Sequence, residues 1–551
     1  MEVGRVVGVY GRNVMRVAVP EEKLYLVARP GTYVKVKSLS GGWLYGLVVG
    51  YNLLDELYRR GRIVEELEGY EEFRPARNEL LANLVGYAED GKLQRGVPAM
   101  PKPGDKVFLV DEKELSAIMS RGDISIGVLS SARSVEVKLD VSKLCSRHLA
   151  ILAMTGAGKS NALAVILAEI LGKFPYPRIL LIDTHSEYVG LAAYEKFNAR
   201  VYAPSGRLGK LISDQYGIDV LPLEVPIWML GFEEVAGLLK LDARATKQRM
   251  LLREAMRDVR RRRSPGAGVN DPIYYRVEEL QSALRRLSGG RGDALLDLQL
   301  KVEELGENEE LRFITETPRS DELYESLSNL EEPERSFKAY TAVASRLLRP
   351  GLNILALGGL SSETQVAVVS TLLRALWRVI MTQRLMGLIL PVLIAVEEAH
   401  AYAPRDRWLA SREILERIAK EGRKFGVALA VVSQRPRELS ETLLAQCGNL
   451  IALRTVNPED QRHILRSVED ITQEMIQSLS GLEVGEAIVS GPATPLPAVI
   501  KVHEFSSRHG VELGGKDVDW RRAWSEPGEE LKVLPAEVVE EAKQSTLFDF
   551  V

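Results

Sequence analysis

Eight consecutive residues, Ala153-Met-Thr-Gly-Ala-Gly-Lys-Ser160, have the types and order needed to wrap a row of phosphates. Gly156 and Gly158 let the backbone curl so that its N–H groups point at phosphate oxygens. Lys159 can reach the β- and γ-phosphates, and Ser160 can place its hydroxyl on Mg²⁺. Thr155, Ala157 and Asn161 complete the stretch that would border the nucleotide. An apolar run, Leu149–Met154, precedes the loop, and a helical run, Ser160–Leu171, follows it. That is the setting a phosphate-binding loop requires. Ala153 stands where the first glycine is usual, which is tolerable if its backbone angles are ordinary. The bland alternative is a Gly-rich turn of structural use only.

Hydrolysis also needs carboxylates. Pro391-Val-Leu-Ile-Ala-Val-Glu-Glu-Ala-His400 delivers two at the end of an apolar run. Ligands of open α/β sheets bind at that edge. Glu397 is placed to hold Mg²⁺ through its water shell, and Glu398 to orient or deprotonate the attacking water. Many ATPases carry aspartate at the first position, so Glu397 is a longer arm. Asp183-Thr-His-Ser-Glu-Tyr188 ends another apolar run, making Asp183 and Glu187 candidate water-positioning or supporting carboxylates. His185 reads as a structural histidine. Gln434, in Ser433-Gln-Arg-Pro436, can sense a γ-phosphate through its amide. Arg423, in Lys420-Glu-Gly-Arg-Lys-Phe-Gly426, is either a guanidinium for the transition state or a solvated basic helix end.

The elements that must position these residues alternate. Arg178–Asp183, Pro391–Val396 and Val427–Ser433 read as buried strands separated by helical patterns, which means a parallel sheet with crossover helices. Residues 1–130 read as β-rich, with runs Val3–Val9, Met15–Val19, Leu24–Ala28, Tyr33–Val36, Leu44–Tyr51, Leu80–Tyr87 and Lys106–Val110. Pro30–Gly31 and Gly41–Gly42 punctuate them, and the spacing suggests a small barrel. Residues 131–505 form the ATPase core, with a charged helical insertion at about 232–349, and residues 506–551 form a carboxyl-terminal brace or tail. The fold class is α/β: a RecA-like parallel-sheet P-loop core with a helical insertion, preceded by an amino-terminal barrel.

Composition narrows the function. The 551 residues carry a net charge of −4, so contact with nucleic acid must be local rather than a coat of positive charge. The two cysteines, Cys145 and Cys447, form no metal or disulfide pattern, which fits a reducing cytoplasm. The longest apolar run, Leu385–Val396, is broken by Gly387 and Pro391, so membrane insertion is disfavoured. Arg257 and Arg260 to Arg263 either face a DNA channel or form a solvated helix face.

In this order the motifs resemble those of the HerA family of archaeal DNA translocases, within the HerA–FtsK class of P-loop ATPases. The resemblance covers most of the chain. It implies a homo-hexameric ring around double-stranded DNA that uses ATP and Mg²⁺, with an amino-terminal barrel that supports assembly. It implies a NurA-like nuclease partner and a role in end resection and recombinational repair. Lys159, Glu398 and Arg423 match the family's phosphate lysine, catalytic glutamate and trans-acting arginine finger. Arg147 matches an arginine near the nucleotide at a subunit boundary. A ring accommodates the acidic balance, because basic groups are needed only along the pore. Two other functions compete: a secretion- or conjugation-type coupling ATPase, and a nucleotide-switched scaffold.

The chain ends Gln544-Ser-Thr-Leu-Phe-Asp-Phe-Val551, similar to peptides that dock on the sliding clamp. Gln544, Leu547 and Phe550 match the pattern, and Val551 stands where an aromatic is usual. Docking on a neighbouring subunit is the alternative.

Overall fold

The computed structural model describes residues 1–11, 13–55, 76–89, 92–204, 207–287, 292–468, 471–514 and 521. The chain divides into two units. The first holds Met1–Pro175, Glu398–His400 and Ala428–Arg508, and the second holds Tyr176–Glu397, Ala401–Val427 and the described residues from His509 on.

The first unit opens with a closed six-stranded barrel. Strands Val14–Ala18, Glu2–Tyr10, Lys106–Leu109, Tyr33–Lys37, Trp43–Asp55 and Ala76–Glu89 pair in that order, and Ala76–Glu89 pairs back to Val14–Ala18. Alternation drives it: Val3, Met15, Val17, Val34, Val36, Leu44, Val48, Leu80, Ala82 and Val107 point inward and are fully buried. The barrel is tied to the rest of the unit by polar contacts. The Tyr33 hydroxyl donates to Pro497 O, and Arg95 donates to Gly491 O and, at 2.7 Å, to Thr494 O.

One sequence expectation fails here. Leu24–Ala28, read with the strands, lies in helix Glu21–Val27 and its cap. Pro20 starts that helix, Glu21 and Glu22 oppose the dipole of its first turn, and Val27 buries its inner face.

The unit's second sheet runs Val427–Ser433, Leu149–Leu152, Asn449–Leu453, Glu486–Ser490, Ala498–Val502, Ile124–Leu129, Glu136–Leu139. The first three strands are parallel and the rest antiparallel. Helix Lys159–Lys173 follows the central strand and buries most of its length, from Ala162 through Ala168 and on to Leu171.

In the second unit five parallel strands run Val220–Leu223, Ala199–Pro204, Gly351–Ala356, Arg178–Asp183, Val392–Val396. Between Val220–Leu223 and Gly351–Ala356 the chain is helical, with helices that include Phe232–Leu238, Thr246–Arg263, Val277–Arg286, Gly292–Glu307, Pro318–Ser326 and Glu334–Ser345. The arginine run ends helix Thr246–Arg263 but forms no single basic face. Arg262 pairs with Asp258 and Arg263 with Glu279, and Arg260 is fully buried. The Arg260 guanidinium donates to Asp271 O and Leu230 O, both at 2.8 Å, and lies over the Tyr275 ring. Arg260→Ala would strand these carbonyls in the interior. We expect a loss of about 3 kcal/mol or more, read as a lowered denaturant midpoint.

Helix Ser362–Leu385 is, among the described residues, long and apolar enough to cross a membrane, although it carries Arg374, Arg378 and Arg384. The sequence reading, which sought an uninterrupted apolar run, did not single it out. Most of its apolar stretch is buried within the protein. Arg374 reaches Glu234 at 2.6 Å, so even its charge is satisfied inside the unit. Cys145 and Cys447 are free, and burial pushes their thiols up to about 11 and about 12.

Candidate active site

Register assembles the phosphate loop. Leu152, the last residue of its strand, pairs with Ser433 on one side and Ala452 on the other. The backbone then leaves the sheet. Ala153 N donates to Ser433 O at 3.3 Å and Met154 N to Arg454 O at 3.1 Å. Ala153 is fully buried and outside the left-handed backbone region, so its methyl costs nothing where a glycine is usual. Gly156 and Gly158 do need their freedom, with φ of 76° and 101°. Gly158 caps helix Lys159–Lys173, so the helix's first N–H groups face the loop.

Side chains converge on this edge. The Thr155 hydroxyl donates to Gln434 Oε1 at 2.7 Å, which leaves the Gln434 amide pointing its donors elsewhere. Lys159 Nζ donates to Glu398 Oε1. The pair is buried, so a phosphate arriving at Lys159 would compete with a carboxylate for the same ammonium. Glu398 itself sits at φ 45°, the left-handed region that a side chain disfavours by about 1–2 kcal/mol. Strain of that kind persists only where the surroundings impose it, and it aims this carboxylate. Asn161 behaves differently from the rest of the loop. Its amide donates to His503 O and its oxygen accepts from Phe505 N, both at 2.8 Å, so its side chain ties down the segment after the last strand.

His400 extends the cluster. Its Nδ1 lies 3.2 Å from Glu398 Oε2 and 3.1 Å from Ser433 Oγ. Burial pushes the imidazole below its usual range, only partly offset by Glu398, so it is neutral at pH 7. A depressed histidine pKa leaves full stability above the unfolded value of about 6.5 and loses it as pH falls. On acidification the imidazolium would claim Glu398. We therefore expect an acid limb in the pH profile of kcat that is flattened in His400→Asn, measured between pH 5 and pH 8.

Glu397 ends strand Val392–Val396 and is fully buried. Thr184 holds it twice: Thr184 N donates to Glu397 Oε2 at 3.1 Å and the Thr184 hydroxyl meets Glu397 O at 3.0 Å. Tyr402 lies 3.0 Å from the same hydroxyl. Asp183 is also fully buried and accepts from Glu187 N and Tyr188 N at 2.9 and 2.8 Å. Burial raises its pKa despite these donors, and Glu397 is hydrogen-bonded to it. Asp183 therefore shapes the loop Thr184–Tyr188 and braces Glu397, while Glu187 contributes its N–H to that turn. Thr184, Tyr402 and His400 are the site-forming residues that sequence did not assign. Their signal was weak: threonine and tyrosine near strand ends are common, and Thr184 lies more than 200 residues from Glu397 and Tyr402 along the chain.

Two further arginines of the sequence reading take no part in these contacts. Arg423 is exposed in the 3₁₀ turn Gly422–Phe425 and makes no hydrogen bond or ion pair among the described residues. That turn precedes strand Val427–Ser433, whereas Gln434 follows it. Arg147 is exposed and caps helix Val141–Ser146, just before strand Leu149–Leu152, whereas the phosphate loop follows that strand. Strand Leu149–Leu152, about 13 Å of extended backbone, lies between Arg147 and the phosphate loop.

Among the described residues no three His, Cys, Asp or Glu side chains form a protein-only metal site. Mg²⁺ at a phosphate loop needs none, because phosphate oxygens and water fill most of its shell. In the first unit Ser160 offers a hydroxyl of that kind, and in the second Glu397 offers a carboxylate already oriented by Thr184.

A family described as the central domain of helicase HerA matches residues 124–376. A DNA double-strand break repair helicase HerA of Sulfolobus acidocaldarius is 30% identical over 96% of this chain and 98% of its own length. One from Sulfurisphaera tokodaii is 31% identical over 80% of this chain and 81% of its own. Among solved structures, VirB4 of Thermoanaerobacter pseudethanolicus superposes with a TM-score of 0.50 at 14% identity, over 70% of this chain and 98% of that one, a likeness of fold.

Proposed function

From the premise that this chain belongs to the HerA family, we propose that it works as a hexameric ring that moves double-stranded DNA by hydrolysing ATP between subunits. It is an ATP-hydrolysing helicase of the P-loop class, a HerA-type DNA repair helicase. The finer reading rests chiefly on one observation. Lys159 donates to Glu398, and Arg423 stands exposed in its turn with no hydrogen bond or ion pair among the described residues. An exposed guanidinium without an internal partner supports a target on another copy.

In this mechanism the backbone of Thr155 to Ser160 cradles the phosphates, and Lys159 exchanges Glu398 for the γ-phosphate. Ser160 and Glu397 would hold Mg²⁺, which would supply neutralisation of phosphate charge. Glu398, released from Lys159, positions the attacking water. Gln434 reads the γ-phosphate with its amide. Arg423 and, less directly, Arg147 of a neighbour stabilise the charge that develops in transit. Contact with DNA would be to phosphates and independent of sequence.

A NurA-like nuclease is the proposed partner in end resection, with the barrel as its candidate contact. The clamp-type peptide, Gln544, Leu547 and Phe550, lies outside the described residues. Deleting Gln544 to Val551 should abolish binding to the clamp and spare ATPase activity; unaltered clamp binding removes that part of the proposal.

The direct test of the whole reading is an ATPase assay with and without linear duplex DNA, alongside images of the particle. We expect duplex-stimulated turnover from a ring with DNA in its channel. A coupling ATPase or a nucleotide-switched scaffold would show turnover indifferent to duplex, or none.

A further inference from the structure

We infer that the nucleotide's base rests on an aliphatic shelf made by Val456 and Val484, which grips the flat face of a purine and not its edge, so that the site turns over GTP about as readily as ATP. This rests on the phosphate-loop reading above and widens the substrate class of that same site.

The direction of the nucleotide follows from strand order, and every residue involved lies in the first unit. Strand Leu149–Leu152, which carries the loop, has Val427–Ser433 on one side and Asn449–Leu453, then Glu486–Ser490, on the other. The groups assigned to the γ-phosphate mark the first side. Gln434 follows strand Val427–Ser433 and is held by Thr155, while His400 ties the turn of Glu398 to Ser433. A triphosphate with its γ end there sends its ribose and base toward the opposite side. Asn161, one residue past Ser160, is bonded to His503 and Phe505, which follow strand Ala498–Val502 on that opposite side.

Two segments on the base side abut the loop. Met154 N donates to Arg454 O and Gly485 N to Ala157 O, each at 3.1 Å. Two residues past the first anchor stands Val456, 48% exposed, and beside the second stands Val484, 58% exposed. Branched aliphatic side chains left open beside a phosphate loop suit the apolar face of a heterocycle.

The polar groups around this shelf are turned inward. Glu483 N donates to Glu486 Oε2 and Glu486 N to Glu483 O, both at 3.0 Å. Val484 O accepts from Lys501 Nζ, and Gly485 O accepts from Val502 N at 2.9 Å. Thr455 O accepts from the Gln461 amide at 2.7 Å, and Asn457 Oδ1 from Glu459 N at 2.8 Å. Adenine and guanine differ at their edges, in the donors and acceptors they present. A site built to hydrogen-bond one edge rejects the other by about 10⁴–10⁵-fold, because its own buried groups are then left unpaired. An aliphatic face leaves nothing unpaired. Exposed Glu483 offers only acceptors, which the amino group of either purine satisfies. Pyrimidines cover less of the shelf and gain less from it.

The test is steady-state hydrolysis by the full-length protein with Mg²⁺ and linear duplex DNA, comparing ATP, GTP, CTP and UTP. We expect kcat/KM for GTP within about threefold of that for ATP, and CTP and UTP lower by about tenfold, with the loss in KM. Val456→Asn and Val484→Asn change exposed positions without adding charge, and circular dichroism checks their folding. Each should raise KM for ATP and for GTP alike by about fivefold, while inhibition by inorganic tripolyphosphate, which has no base, keeps its wild-type strength. GTP below about a twentieth of ATP in kcat/KM overturns the shelf. So do variants that leave both KM values in place, or that weaken tripolyphosphate in step with ATP. If Glu398→Gln turns over ATP like wild type, the placement of the γ end falls instead.

Discussion

Arg423→Ala is expected to lower kcat for ATP by about 10³–10⁵-fold while leaving ATP binding nearly unchanged, the loss an arginine finger produces. Such a loss corresponds to about 4–7 kcal/mol of transition-state stabilisation. The argument is geometric. Arg423 makes no hydrogen bond or ion pair among the described residues, so its removal disturbs no internal contact there. It is held in place by its turn: Gly426 closes it at φ 79° and Phe425 packs edge-on against Trp377, with ring centroids 5.1 Å apart. An outward charge on a fixed turn is what the proposed trans-acting role requires. Mixing Arg423→Ala with Lys159→Ala subunits should accordingly restore some turnover, since mixed boundaries pair an intact loop with an intact arginine. Steady-state kinetics and equilibrium nucleotide binding, read together, separate this from misfolding. Arg423→Lys should recover little, because an ammonium lacks the planar fork that grips two phosphate oxygens.

How much of this was legible beforehand depended on whether a residue's partners were local. Arg178–Asp183 and Val427–Ser433 read correctly to the residue, because each is an unbroken apolar run bounded by Pro177 or Gly426 and a polar end. The phosphate loop was legible because its chemistry requires glycines, a lysine and a serine in fixed order. Leu24–Ala28 misled because a short apolar run has no period of its own, and the preceding proline and glutamates decided for a helix. In the arginine run, Arg257, Arg261 and Arg262 are exposed as a solvated face would have them, and Arg260 is the exception. Exposure of basic residues on a helix is the usual expectation, but four carbonyls from Trp228, Leu230, Met256 and Asp271 converge on the one position that faces inward, Arg260. The supports of the acidic pair were invisible for a third reason. Thr184 meets Glu397 across 213 residues, and only the pairing of strands Arg178–Asp183 and Val392–Val396 brings them together.

That pairing also divides the labour of the two glutamates, and Glu398→Gln tests the division. We expect kcat to fall by about 10²–10⁴-fold, the usual contribution of a positioned base. The amide keeps the shape of the side chain and its strained backbone but cannot take up a proton. Nucleotide affinity should hold or improve, because Lys159 no longer has a buried carboxylate as a competing partner. Glu397→Gln should behave differently. Its carboxylate is already tied to Thr184 N and to Asp183, so its loss should raise the Mg²⁺ concentration needed for half-maximal rate more than it lowers the limiting rate. Single-turnover hydrolysis across a Mg²⁺ titration distinguishes the two. Equal behaviour of both variants, or a Glu398→Gln enzyme that turns over like wild type, would show that the carboxylate beside Lys159 is a structural counter-ion. The strain at Glu398 would then have to be explained by the ion pair alone, although a lysine counter-ion does not by itself require a residue at φ 45°.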